Sequence, residues 1–222
     1  MSDTRSLRPR RAKTLRVHSR RGLHSILEIY NGLSGSNTSG IGFSNYKTTY
    51  GEVTEQGIHI LSDKIKQYCP VPRCGNTFYD LGSGIGKVNM GMAILYPEIR
   101  SVGIEIVPER VRLAMSCLEK IKQKQIRNRI LFHCGDFLSP DLNFKNAFCI
   151  FLSNMCFTEE TNQQIAEKIV REAPAGCIVI CSRELPVLPA VLTRLESNCN
   201  VPMSWSASST CYIYRQVHGS NG

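Results

Sequence analysis

The chain is poor in the features that most quickly settle a protein's class. Its 10 cysteines include no C-x-x-C pair and no paired Cys/His spacing, so the sequence specifies neither a zinc site nor a disulfide framework. Cys149, Cys177 and Cys181 fall instead inside apolar runs, where a reduced thiol packs as a small hydrophobe, as expected in a reducing compartment. The longest wholly apolar run, Ala147 to Leu152, is far short of the ~20 residues that a membrane-spanning helix needs. No apolar stretch of signal-peptide length follows the N-terminus, and secretion is not expected. A composition of 42% hydrophobic and 20% charged residues, with 17 Gly and 10 Pro, excludes collagen-like, coiled-coil and wholly disordered classes. What remains is a soluble intracellular chain whose 222 residues suffice for one domain with a full core.

Acidic residues are nearly absent from the first 24 positions. Arg5, Arg8, Arg10, Arg11, Lys13, Arg16, Arg20 and Arg21 stand there against Asp3 alone, giving +7 of the net +9. A segment so charged repels itself into an extended chain, and its uses are phosphate contact or nuclear import through Arg8 to Lys13; a solvated terminus is the plain alternative. We therefore divide the chain into a basic disordered arm (1–24), a flexible connecting segment (25–48) and a folded domain (49–222). The connecting segment includes a Gly-, Ser- and Asn-rich stretch from Asn31 to Gly42.

Within the domain, apolar positions from Val53 to Ile65 recur at helical spacing and stop before Pro70. Strands and helices then alternate. Thr77–Leu81, Arg100–Ile106, Arg129–His133, Ala147–Leu152 and Cys177–Cys181 read as strands. Gly86–Leu95, Pro108 to about Gln125, and Glu159–Glu172 with Thr158 as N-cap read as helices. Segments around Met203–Ser206 and Cys211–Arg215 read as a closing hairpin. The alternation predicts an α/β fold, a parallel sheet covered on both faces.

The chemistry gathers where strands end. Asp80-Leu81-Gly82-Ser83-Gly84-Ile85-Gly86 lies where the first strand meets a helix, so glycines bring backbone close to a ligand beside unpaired helix N–H groups. Glu105, 25 residues after Asp80, ends the second strand, where a carboxylate can accept from two ribose hydroxyls. A dinucleotide site would normally show G-x-G-x-x-G without an acid before it; a carboxylate there suits an ammonium group. The D-x-G-x-G-x-G pattern resembles motif one of S-adenosylmethionine methyltransferases, which implies that Asp80 meets the methionine amino group. It also implies that Asp136, in Gly135-Asp136-Phe137 after the third strand, meets the adenine amino group, with Phe137 able to stack on the ring.

Four stretches narrow the resemblance. Tyr50-Gly51-Glu52-Val53, Asp80 to Gly86, Gly135-Asp136-Phe137-Leu138 and Phe151-Leu152-Ser153-Asn154-Met155-Cys156-Phe157 together resemble the Disruptor-of-telomeric-silencing (Dot) family, the non-SET methyltransferases of a lysine on the histone H3 core. The resemblance runs from about Thr49 to Arg215. It implies a Rossmann-like, seven-stranded, mostly parallel sheet with a C-terminal antiparallel hairpin. It also implies S-adenosylmethionine as cofactor, a nuclear location, and a nucleosome partner whose DNA phosphates meet the basic arm. No metal, no membrane and a monomeric state are expected.

Carried over by motif, Tyr50 and Glu52 belong to a loop folding over the cofactor. Asp80, Gly82 and Gly84 cradle its methionine part, Glu105 takes the ribose, and Asp136 with Phe137 holds the adenine. Ser153 stands where familiar members carry the first of two adjacent asparagines, so Ser153 or Asn154 is expected to accept a hydrogen bond from the target amine. Trp205 and Tyr212, seven residues apart, match a family pair whose second member lines the lysine channel. Tyr50, Phe151, Phe157, Trp205 and Tyr212 are the expected walls, with core packing the alternative for each aromatic. Lys87 departs from the family's neutral residue after the loop. Arg110, Arg112, Lys120, Lys122, Lys124, Arg127 and Arg129 form a second basic run, read as a solvated face or a phosphate-binding surface. Methylation of RNA or of a non-histone protein, and a cofactor-binding module without turnover, are the competing readings; a dinucleotide oxidoreductase ranks behind both.

Overall fold

A computed structural model describes residues 21–35, 51–69, 75–186 and 191–217. Its elements are helix α1 (Glu55–Tyr68), strand β1 (Thr77–Leu81), α2 (Lys87–Leu95), β2 (Arg100–Glu105), α3 (Pro108–Lys120), a short α4 (Lys124–Arg127), β3 (Ile130–Cys134), β4 (Ala147–Leu152), α5 (Glu159–Glu172), β5 (Ile178–Cys181), β6 (Leu192–Met203) and β7 (Ser206–Gln216). The seven strands form one sheet in the order β3-β2-β1-β4-β5-β7-β6. β1 to β5 run parallel, and β7 pairs antiparallel with both β5 and β6.

Burial on both faces explains the apolar central strands. All six side chains of β4 and all four of β5 are buried, as parallel strands under two helical layers require. Alternation sorts them: Phe151, Ile178 and Ile180 join the layer containing Ile58, Leu61 and Met92 from α1 and α2, whereas Ile150, Leu152 and Val179 join that containing Ile165 and Ile169 from α5. The helix starts follow local chemistry. Thr54 caps α1 by accepting from the Gly57 N–H at 3.1 Å, and Thr158 caps α5 by accepting from the Thr161 N–H at 3.1 Å.

Three expectations are corrected. Helix α3 stops at Lys120 and does not continue to Gln125. Ile121 is only 1% exposed and packs with Met90, Cys117 and Ile130, which draws the chain off the helix axis. Its carbonyl is capped by the Arg127 guanidinium at 2.8 Å. The closing hairpin is far longer than expected, because β6 is an edge strand of mixed polarity (LTRLESNCNVPM) with register shifts along it, and so shows no clean two-residue period. Glu196 on β6 anchors it to α1 by accepting from Lys64 at 2.6 Å and the Tyr68 hydroxyl at 2.9 Å.

The third correction concerns the first two segments. Residues 21–27 are helical, Glu28–Tyr30 continue as a 3-10 turn, and Leu23, Ile26 and Tyr30 are buried. The Tyr30 hydroxyl points to the Met90 sulfur at 2.9 Å, so this stretch docks on α2 as part of the domain. Residues 1–20 and 36–50 lie outside the described residues, and with them most of the expected arm and connecting segment. The nine cysteines among the described residues are free thiols, and burial pushes those of Cys149, Cys177 and Cys181 well up, away from the thiolate form. Among the described residues no helix is long and apolar enough to cross a membrane.

Docking of residues 21–30 carries a measurable consequence. Leu23→Ala should cost about 2–4 kcal/mol of unfolding free energy in chemical denaturation, the range for emptying a core site. A cost under about 0.5 kcal/mol, the surface range, would show that the segment is not part of the fold.

Candidate active site

Strand order reverses between β1 and its neighbours β2 and β4, and the carboxyl ends of parallel strands open a crevice at such a point. Here that crevice has a volume of about 340 Å³. The turn after β1 closes on itself, with the Gly82 and Ser83 N–H groups donating to the Ile104 carbonyl at 2.8 and 3.0 Å and the Gly86 N–H to the Ser83 carbonyl at 2.9 Å. Gly86 has φ +79°, and an added Cβ would lie 2.2 Å from the Phe132 ring, so no other residue fits there.

Glu105, 4% exposed, is locked in place. One carboxylate oxygen accepts from the Gly84 N–H at 2.9 Å and the other from the Val107 N–H at 2.9 Å, with the Arg110 guanidinium 3.8 Å away. Each oxygen keeps a lone pair for a further donor. Asp80 is 3% exposed, and among the described residues no donor bonds its carboxylate. Burial, and then the neighbouring charge of Glu105, raise it from 3.8 to about 8. Asp136 is held by the Leu138 N–H at 2.8 Å, and the Phe137 and Phe157 rings meet at a centroid distance of 5.4 Å.

The far wall is a short strap. Val53 bridges Met203, the Thr54 N–H donates to the Pro202 carbonyl at 3.1 Å, and the Ser204 N–H donates to the Glu52 carbonyl at 2.7 Å. The strap is thereby fastened to the β6–β7 turn, whose Trp205 packs against Gly51 and is half exposed. The Glu52 carboxylate forms an ion pair with Lys87, and the Lys87 ammonium also lies 5.5 Å from the Tyr30 ring.

The sequence-derived residues therefore converge in large part. Glu52, Asp80, Gly82, Gly84, Glu105, Asp136, Phe137 and Ser153 all line this one crevice, as do Phe151, Phe157 and Trp205. Tyr50 lies outside the described residues. Two expectations are corrected. Asn154 is fully buried and turned inward, donating to Asn162 at 2.7 Å and to the Arg183 carbonyl at 3.0 Å while accepting from the Arg183 N–H at 2.7 Å. It ties β4 to α5 and the segment after β5, and does not reach the crevice. Tyr212 pairs opposite Cys181 within the sheet, packs against the α5 layer and lies 5.9 Å from the Arg194 guanidinium, so β7 carries it away from the crevice.

Residues not foreseen include Met155, Cys156, Thr158 and Thr161 at the rim. The second basic run also dissolves in part: Arg110 is buried beside Glu105, and Arg129 donates to the carbonyls of Ala93, Tyr96 and Ile99.

These groups fit S-adenosylmethionine. An unpaired buried carboxylate matches an ammonium, a clamped carboxylate with spare lone pairs matches a ribose diol, and an acid followed by an aromatic ring matches an aminopurine. Among the described residues no cluster of His, Cys, Asp or Glu is placed to hold a metal ion.

The raised Asp80 value fixes a sign. Asp80 is protonated in the folded protein where the unfolded chain has lost that proton, so its contribution is complete below pH 4 and is lost as pH rises through about 8. Asp80→Asn should therefore gain stability relative to wild type as pH is raised from 4 to 8 in ligand-free thermal unfolding. A constant difference across that range would contradict the burial of an unpaired acid.

A family model described as "Histone methylation protein DOT1" matches residues 42–208. Among solved structures, TrmN from Thermus thermophilus superposes with a TM-score of 0.55 at 15% identity, over 71% of this chain and 48% of that one. The glycopeptide N-methyltransferase MtfA, complexed with S-adenosylmethionine, gives 0.53 at 8% identity over 73% and 94%. The mitomycin 7-O-methyltransferase MmcR gives 0.51 at 14% identity over 72% and 54%. The chain spans about half the length of TrmN and of MmcR. At such identities the likeness establishes the fold alone, the Rossmann-like methyltransferase fold with its antiparallel closing hairpin. With three quarters of the sequence inside the family match, the chain belongs to the DOT1 family of histone methylation proteins.

Proposed function

We propose that the chain is a histone-lysine methyltransferase that moves the methyl group of S-adenosylmethionine to a lysine on the core of histone H3 within nucleosomes. The observation that carries this reading is the unpaired, buried Asp80 beside the clamped Glu105 on one crevice, in a member of a histone methylation family. Bound there, the cofactor would supply a sulfonium-activated methyl carbon, open to in-line attack by a neutral amine with the thioether S-adenosylhomocysteine as leaving group.

The residues of the chain position and desolvate. Asp80 takes the ammonium and, in doing so, gives up its proton. Glu105 accepts from the ribose hydroxyls with lone pairs that Gly84 and Val107 leave open. Asp136 accepts from the adenine amino group, and Phe137 lies on the ring. The target lysine enters past Met155 and Trp205, which are 55% and 50% exposed, between walls formed by Phe151 and Phe157. Free lysine titrates near ~10.4, and an apolar entry disfavours the ammonium, so the neutral amine is enriched at the crevice. Ser153, on the crevice and 3.5 Å from the Ser182 hydroxyl, accepts the remaining N–H. The charge of the N-terminal arm supports contact with nucleosomal DNA and a nuclear location.

One observation favours a second reading. With Asn154 turned inward, Ser153 is the β4-end polar side chain left to receive the amine, which suits cofactor binding without turnover. Labelled methyl transfer to nucleosomes, free histones and RNA, beside calorimetry of cofactor binding, separates the readings. The proposal predicts transfer to nucleosomal H3 and loss of the steep salt dependence of nucleosome binding when residues 1–20 are removed. Tight cofactor binding with no transfer to any acceptor would establish the second reading, and labelled RNA would overturn both.

A further inference from the structure

Three strand-end acids line the crevice, and they are not equally supported. β1 lies between β2 and β4, and β2 between β3 and β1, so Asp80 and Glu105 stand on strands with a neighbour on each side. β3 is an edge of the sheet and pairs with β2 alone. Asp136 follows it in a stretch without helix or strand that runs to β4 at Ala147. The turn there closes locally: the Leu138 N–H donates to the Asp136 carboxylate at 2.8 Å, and the Ser139 N–H to the Asp136 carbonyl at 3.0 Å. Those bonds shape the turn, but they do not orient it against the sheet.

The loop is tied at its start, where the Gly135 N–H donates to the Glu105 carbonyl at 3.0 Å, and near its end, where the Asn143 carbonyl accepts from the Tyr79 hydroxyl at 3.1 Å. Between these ties it meets α5. Lys168 is 2% exposed, and its ammonium donates to the Ser139 carbonyl at 3.0 Å and the Leu142 carbonyl at 2.7 Å while pairing with Glu172 at 3.1 Å. Three acceptors engage all three donors of an ammonium, which leaves none for a ligand. Phe137, Leu138 and Leu142 also pack in the layer of Ile165 and Ile169. Apolar contact is not directional, so it seats the loop on α5 without orienting it. A buried ion pair adds little stability over apolar residues of like volume. What the lysine supplies is direction, through two donors aimed at the carbonyls of the loop.

We infer that Lys168 is a positioning residue for adenine recognition: from α5 it orients the turn that presents the Asp136 carboxylate to the amino group of the base. This rests on the reading of the crevice as an S-adenosylmethionine site. The path is short. The Lys168 ammonium holds the Ser139 carbonyl, and the Ser139 N–H holds the Asp136 carbonyl. The same helix holds the segment after β4, where Asn162 accepts from Asn154. Helix α5 thereby anchors two of the segments that line the crevice, the one after β3 and the one after β4.

Calorimetry with two ligands tests this without turnover: S-adenosylhomocysteine, and its deamino analogue, in which hydrogen replaces the amino group of the base. Wild-type protein should prefer the first by about tenfold or more, the size of one charge-assisted contact. Lys168→Met should erase most of that preference by weakening the first ligand far more than the second. In an Asp136→Ala background the same substitution should weaken S-adenosylhomocysteine no further, because a residue acting through Asp136 has nothing left to act on. Lys168→Gln is read in the same way should the methionine variant fail to fold. Equal weakening of both ligands by Lys168→Met, or an undiminished loss in the Asp136→Ala background, would overturn the role of Lys168 and leave the cofactor reading standing. Equal wild-type affinity for the two ligands would part Asp136 from the base and overturn this inference, again leaving the cofactor reading. Wild-type protein that binds neither ligand would sink the cofactor reading, and this inference with it.

Discussion

Two acids, Asp80 and Glu105, close adjacent parallel strands in a region almost shut to water, and burial together with the charge of Glu105 keeps Asp80 protonated. Only one is answered within the described residues: Glu105 gathers two backbone N–H groups and an arginine, whereas Asp80 has none. That asymmetry organises everything around it. The turn at Gly82 to Gly86 bends so that the Gly84 N–H reaches Glu105, α3 begins where the Val107 N–H reaches the other oxygen, and Arg110 lies on the buried face of α3 with Val111, Ala114 and Cys117. An unanswered buried acid is a standing cost in a folded protein, and such a cost is typically found where a ligand completes the structure.

The opposite wall is made differently. It is not built from the ends of the sheet but from residues 51–54, which reach across to the turn between β6 and β7. The crevice therefore has one side fixed by parallel strands and another hung between α2 and the hairpin, with the Glu52–Lys87 ion pair joining the strap to the helix. Rigid alignment suits the adenosyl end, since in-line displacement rewards positional accuracy. In the proposed function the target lysine would enter on the side of this strap.

Much of this was legible in the sequence, for reasons that differ by element. β4 could be read because both its faces are buried and every residue is apolar; α5 because Thr158 and Glu159 mark its start. Asp80, Glu105 and Asp136 could be placed because each lies at or just past the carboxyl end of a parallel strand. β6 was hidden by its polar edge-strand composition. Residues 21–30 were hidden by the arginines that precede them, although Leu23, Ile26 and Tyr30 already stand at helical spacing. Asn154 and Tyr212 show where motif matching ends: neighbouring residues leaving a strand point in opposite directions, so Ser153 faces the crevice while Asn154 faces α5, and the position of Tyr212 along β7 decides its surroundings. Lys87 acquires a meaning only once Glu52 and Tyr30 are seen beside it.

The central claim is that three strand-end acids hold one adenosyl ligand, and a crystal structure with S-adenosylhomocysteine examines it most directly. The account predicts the ligand's ammonium at Asp80, its ribose hydroxyls at Glu105 and its adenine amino group at Asp136, along a single crevice. A ligand bound elsewhere, or bound there with Asp80 still unpaired, would contradict it.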